Sequence, residues 1–265
     1  GGAEPATLER LYSLALTLHG AGEHGEAWQL FSEWMGQASN QPAGENAARA
    51  HQYVLLAQLL TYGGDAEGGI ALLERAVALR EGLLGPDHPV VARTRLVLAA
   101  SYMEAGRFDV AEHETRRAVQ RLAELYPEGH PELAKAMRDL GVALHRQRRW
   151  DEAERYYLDA RAMMRRVRGA DHTYYATVTE DLGMLLVARG DGRRAEPYLR
   201  EALELYRARA GASSLLSHRA AVLLGTALLQ KGDSVAAEGL LVQGVEALAA
   251  RSVPGFRGPA RRGAD

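Results

Sequence analysis

The chain of 265 residues has no cysteine, which excludes disulfides and thiol chemistry and fits a reducing, cytoplasmic setting. Lysine is nearly missing too. Of 32 basic residues only Lys135 and Lys231 are lysine, an arginine bias that points to a GC-rich bacterial genome. Aromatic residues make up only 6% and proline contributes only 9 positions, while hydrophobic residues reach 47% and are mostly Ala and Leu. That balance favours helices over strands and leaves enough apolar side chain for a continuous core. No apolar run reaches the roughly 18 residues that a membrane span requires. Net charge is only -2, with a pI near 6.6, so no global basic field argues for nucleic acid. There is no His-Glu-x-x-His, no glycine loop leading into Lys-Ser/Thr and no Gly-x-Ser-x-Gly elbow. The sequence therefore gives no reason to expect catalysis or a cofactor. It opens Gly1-Gly2 without Met, and the expectation is a domain cut from a longer protein whose own start and targeting are not visible.

What the sequence does have is a period. Leu84-Gly85-Pro86-Asp87-His88-Pro89 is echoed by Glu128-Gly129-His130-Pro131 and again by Ala170-Asp171-His172-Thr173, at intervals of 42 residues. Carried in both directions, that register divides the chain into six units, 5–46, 47–88, 89–130, 131–172, 173–214 and 215–256. One column is leucine throughout: Leu14, Leu56, Leu98, Leu140, Leu182 and Leu224. The next is always small: Ala15, Ala57, Ala99, Gly141, Gly183 and Gly225. A turn column holds Gly22, Gly64, Gly106, Gly190 and Gly232, with Arg148 as its exception. Further small columns follow at Ala27, Gly69, Ala111, Ala153, Ala195 and Ala237, and at Ala76, Ala118, Ala160, Ala202 and Gly244, where Trp34 is the outlier.

Small residues seven apart on one helix let a neighbouring helix approach closely. A glycine between two periodic stretches marks the cap and turn of a helical hairpin. Each unit thus reads as helix A, tight turn, helix B. Leu133, Met137, Leu140 and Leu144 form one helical stripe. In the connecting loop, Pro89 and Pro131 stand where a first-turn proline is favoured, and Asp87 or His88 can cap the free amides. The sixth unit lacks the Asp-His-Pro loop, and the tail 252–265 carries Pro254, Gly255, Gly258, Pro259 and Gly263, which reads as non-helical. The repeat array is expected over 5–251.

The leucine, small, turn and alanine columns at these offsets resemble the tetratricopeptide repeat. The period of 42 with its Asp-His-Pro joint is similar to the long variant of kinesin light chains and many bacterial proteins. The resemblance implies an all-α fold, an α-solenoid of six helical hairpins in a right-handed superhelix, with A helices lining a concave groove. The function it implies is protein–protein interaction without catalysis. Bacterial relatives of this kind often accompany a Ser/Thr kinase or another regulatory domain. Kinesin light chains carry an Asn pair just before the column leucine. Here those positions are Arg138-Asp139, Glu180-Asp181 and Leu96-Val97, so the resemblance does not extend to that amide clamp.

By the same analogy the groove residues are His51 and Gln58; Arg93; Lys135, Arg138 and Asp139; Thr177, Glu180 and Asp181; and Arg219. One column of these is His51, Arg93, Lys135 and Arg219, a cationic ladder suited to an acidic peptide or a C-terminal carboxylate. The alternative is a plain solvated face. Charge is also uneven: unit one has 1 basic and 5 acidic residues, whereas unit four has 10 and 7. That asymmetry could orient an elongated partner or support head-to-tail self-assembly, or it could be local ion pairs on a wet surface.

Three features are read as structural. His88, His130 and His172 are periodic but lie on successive loops about 20 Å apart, too far to share a metal with ligand bonds of about 2 Å. Arg189-Gly190-Asp191 spells an adhesion tripeptide whose centre is simply the turn column. Trp28, Trp34 and Trp150 are expected to pack hairpins, with Trp34 leaving its interface looser or capped.

Overall fold

The structure is a computed structural model that describes residues 10, 11, 13–15, 17, 18, 23, 25–27, 29, 30, 33, 34, 47–62 and 65–252. Most of unit 5–46, including Gly22 and Trp28, and the tail beyond residue 252 therefore lie outside the described residues. Among the described residues there is no strand. From residue 47 to residue 252 ten helices follow one another among the described residues: α1 Ala47–Tyr62, α2 Ala66–Leu84, α3 Pro89–Glu104, α4 Phe108–Leu125, α5 Pro131–Arg146, α6 Trp150–Arg168, α7 Thr173–Ala188, α8 Gly192–Ala210, α9 Leu215–Lys231 and α10 Ser234–Ser252. Odd-numbered helices are A and even-numbered ones are B. The chain forms two compact units, Gly1–Pro127 and Glu128–Asp265.

The helices start and stop where local chemistry requires. Imidazole Nδ1 of His88, His130 and His172 accepts from the backbone N–H of Val90, Glu132 and Tyr174 at 3.2, 3.1 and 3.1 Å. The periodic histidines are thus N-caps of α3, α5 and α7, and Pro89 and Pro131 open two of those helices. Of the two capping candidates in the first loop it is His88, not Asp87, that caps. Ser214 replaces histidine at the start of α9, its hydroxyl accepting from Ser217 N–H at 3.1 Å. Asp65, Asp191 and Asp233 cap three B helices, while Arg107 and Arg149 make no side-chain cap at the same position. In the turn column Gly106, Gly190 and Gly232 have φ of 74°, 81° and 93°. Arg148 is forced to φ 61° in their place, a left-handed conformation that costs a residue with a Cβ about 1–2 kcal/mol.

Within residues 1–127, α1 packs on α2, α2 on α3 and α3 on α4. Its core gathers Leu56, Leu60, Leu73, Val77, Leu98 and Tyr102. Trp34 belongs to that core, 2% exposed, with the Arg49 guanidinium 5.9 Å from its ring. The indole fills the interface that was expected to be looser. Leu14 is the one column leucine at the surface, 51% exposed.

Within residues 128–265 each A helix packs on the following B helix and each B helix on the next A helix, while α5 touches α7 and α7 touches α9 directly. Leu140, Leu182 and Leu224 are buried, each contributing about 2–3 kcal/mol by leaving water. The small column beside them has a steric cause. A Cβ on Gly141 would lie 2.7 Å from the Tyr157 ring, one on Gly183 2.5 Å from Leu199 Cγ, and one on Gly225 2.6 Å from Leu241 Cγ. A large helix-B side chain occupies that space in each repeat, so the A helix must be bare there. Trp150 packs edge-on to His145, with ring centroids 5.3 Å apart, as a hairpin-packing residue.

Candidate functional site on the A helices

The residues singled out from sequence fall on A helices, and each unit is described by itself. In residues 1–127, His51 and Gln58 lie two turns apart on α1 and are exposed, as is Arg93 on α3. In residues 128–265, Lys135, Arg138 and Asp139 lie on α5, Thr177, Glu180 and Asp181 on α7, and Arg219 on α9. The structure joins this second set into two clusters that meet at the neighbouring residues Glu180 and Asp181.

Arg138 Nε donates to Asp181 Oδ2 at 2.6 Å, and its Nη1 donates to Asp139 Oδ1 at 3.2 Å. Arg219 grips Glu180 with a fork, Nε to Oε1 at 2.9 Å and Nη2 to Oε2. The Tyr206 hydroxyl reaches in from α8, donating to Glu180 Oε2 at 3.1 Å and lying 3.3 Å from Thr177 Oγ1. Lys135 Nζ stands 5.3 Å from the Tyr174 ring centroid and the Arg138 guanidinium 6.0 Å from it, within cation–π range.

Burial separates these residues into two layers. Glu180 and Asp181 side chains are 2% and 7% exposed, whereas Arg219 keeps 51% and Arg138 27% open. The two carboxylates therefore lie beneath the arginines. A buried carboxylate is tolerated only when paired and hydrogen-bonded, and each has its guanidinium. Burial pushes the Asp181 carboxyl above the usual range, with Arg138 holding it partly down. Burial works against the Arg138 charge, yet the Asp181 carboxylate outweighs it and raises the guanidinium above its ordinary value. The hydrogen bonds to Glu180 do the same for Arg219. Asp139 is pushed up to about 6, first by its packed surroundings and further by the neighbouring Asp181 charge, against the pull of Arg138.

The remaining features resolve as structure. Among the described residues no group of three or more His, Asp or Glu side chains could hold a metal ion, and no helix is long and apolar enough to cross a membrane. Arg189 of the adhesion-like tripeptide bonds Asp151 at 2.9 Å and Glu154 at 3.1 Å, and Asp191 caps α8. Both charged ends are in internal use.

Sequence reasoning missed the partners that hold these side chains. Tyr174 and Tyr206 were not singled out, although a tyrosine near the start or end of a helix facing a charged column is a usable signal. Arg95 was also missed. It is 5% exposed and ties Glu81 of α2 to Glu114 of α4. The register offered a hint, since Met137, Thr179 and Ala221 fill the same column in later repeats.

The repeating geometry has a counterpart among known proteins. The Tetratricopeptide repeat family pattern matches residues 48–124, 96–166 and 132–208, and a second pattern of the same description matches 180–252. The chain belongs to the tetratricopeptide repeat family. Solved tetratricopeptide-type structures share its fold. BtubC (BKLC) from P. vanneervenii is 24% identical, with a TM-score of 0.69 over 97% of this chain and 96% of its own. A putative kinesin light chain with nearly identical TPR-like repeats from Podosopora anserina is 19% identical, with a TM-score of 0.67 over 80% of this chain and 100% of its own. The apo form of RapI reaches 0.68 at 10% identity, over 92% of this chain and 98% of its own. At these identities the likeness is one of fold. No curated protein matches the sequence.

Proposed function

We propose that this tetratricopeptide repeat chain is a non-catalytic interaction module that holds an acidic segment of a protein partner on its A helices. The seat is Lys135, Arg138, Thr177 and Arg219, and the setting is a larger bacterial signalling or regulatory protein such as a Ser/Thr kinase. The observation that carries this reading is the layering. Glu180 and Asp181 lie below and orient the guanidiniums, while Arg219 stays half open to solvent and its Nη1 carries no hydrogen bond among the described residues. Pre-oriented N–H donors with an open edge are suited to carboxylates, and the ordering cost is already met within the fold. Glu180 and Asp181 then act as orienting residues, and Asp139 at the rim selects against partners with a carboxylate at that place. His51, Gln58 and Arg93, exposed on A helices of the first unit, form a separate candidate surface there.

The test is a titration of acidic peptides, selected from a displayed library on the full chain, against the wild type, Lys135→Glu and Arg219→Gln. Loss of one charge-assisted hydrogen bond should weaken binding about tenfold, and the wild-type affinity should fall with added salt. Unchanged affinity in both variants would overturn the reading.

A second reading, self-assembly through the last hairpin, is favoured by one observation. Leu229, Val235, Val242 and Val245 of α9 and α10 are 48%, 86%, 50% and 52% exposed, and large exposed apolar residues mark contact surfaces. Light scattering on chains ending at 251 and at 265 decides it, since a monomer in both at high concentration rules it out.

A further inference from the structure

A second binding feature lies on B helices alone, with none of the residues discussed above in its lining. Between α6 and α8 is an open cleft of about 510 Å³ lined by Arg161, Arg193, Arg194, Pro197, Tyr198 and Glu201. Two of its arginines are committed. Arg161 bonds Glu201 at 2.6 Å and Thr179 at 3.0 Å, and stands 5.4 Å from the Tyr198 ring centroid. Arg194 bonds the Glu154 carboxylate. Arg193 is exposed and forms no ion pair among the described residues.

Pro197 makes the cleft unusual. It lies inside α8, where it has no N–H to give, so the Arg193 carbonyl loses its helical donor. A proline in the second turn of a helix is a local conflict. Such conflicts are expected at functional positions. The cleft therefore offers a guanidinium donor at Arg193 beside an apolar shelf made by the Pro197 and Tyr198 rings.

We propose that this cleft is a docking site for an extended peptide segment of a partner. One carboxylate of the segment meets Arg193, and an adjacent aromatic or aliphatic side chain lies on Pro197 and Tyr198. The lining carboxylate of Glu201 disfavours multiply charged anions such as phosphate groups. A single acidic residue beside an apolar one matches the one spare positive charge.

The experiment is a selection of displayed random peptides on the full chain, followed by fluorescence-anisotropy titration of the selected peptides on the wild type, Arg193→Glu, Pro197→Ala and Arg219→Gln. A class pairing Glu or Asp with an aromatic or aliphatic neighbour is expected. Arg193→Glu should weaken that class at least tenfold, and Pro197→Ala, which removes the ring of the apolar shelf, several-fold. Arg219→Gln should leave the class unchanged, which keeps this site separable from the A-helix seat. Circular dichroism confirms that each variant is folded. If every selected peptide is indifferent to Arg193→Glu, or if inorganic phosphate displaces the peptides through Arg193, the proposal is overturned.

Discussion

Two glycine-to-alanine substitutions should move stability in opposite directions. Gly192, the first residue of α8, occupies a column that holds Phe108 and Trp150 in earlier repeats. With no side chain at this position, α9 comes close: a Cβ here would lie 2.2 Å from the Ala227 carbonyl oxygen and 2.7 Å from Gln230 Cβ. The first obstacle is backbone, so relief requires α9 to shift. Overpacking of this kind costs about 1–3 kcal/mol, and alanine regains little at a helix's first position, so Gly192→Ala should cost about 2 kcal/mol. Gly239, inside α10, has nothing within 4 Å of an added Cβ. There only helix propensity acts, and Gly239→Ala should stabilise by about 1 kcal/mol. For a chain of this size these changes correspond to roughly 4–8 °C down and 2–4 °C up in Tm. Thermal melts by far-UV circular dichroism read the sign. Hydrogen exchange read by mass spectrometry locates the effect, because repeats are stabilised by their neighbours. Gly192→Ala should lower protection first in α9 and α10. Equal or same-sign shifts, or loss of protection starting elsewhere, would refute the steric argument.

Among the described residues Arg148 stands alone as a non-glycine residue at positive φ. Arg148→Gly should relieve about 1–2 kcal/mol of strain against about 0.5–1 kcal/mol of added chain entropy, a small gain visible as a higher urea midpoint. Asp139, raised to about 6, predicts a pH effect. Its native form binds more protons than its unfolded form between about pH 4 and 6, so stability should decline as pH rises through that window. With 42% of the side chain open to solvent the slope is shallow, and Asp139→Asn should flatten it in urea titrations across that range. An unchanged slope would show that the carboxyl titrates normally.

Much of the fold was legible because its determinants are short-range and periodic. The leucine column, the turn glycines and the loop prolines each act within a few residues of themselves, and the single break at Arg148 showed directly as a strained φ. The small column could be seen but not explained, since its cause is the helix-B residue, Tyr157, Leu199 or Leu241, that lies over each glycine. The site was legible only as positions. That Glu180 and Asp181 lie beneath Arg219 and Arg138 depends on pairings 39 and 43 residues apart, which no local pattern encodes. The charge ladder of the sequence is thus partly neutralised from below. Pro197 was visible in the sequence, but its meaning required the neighbouring helix.

A partner seated on the A helices of the second unit through Lys135, Arg138, Thr177 and Arg219 would leave a direct spectroscopic mark. Amide and arginine side-chain NMR of the full chain, titrated with a selected acidic peptide, tests for it most directly. Shift changes should concentrate at those four residues and at Tyr174, with the Arg138 and Arg219 guanidinium signals moving most. Changes confined to other surfaces, with these signals still at saturation, would contradict it.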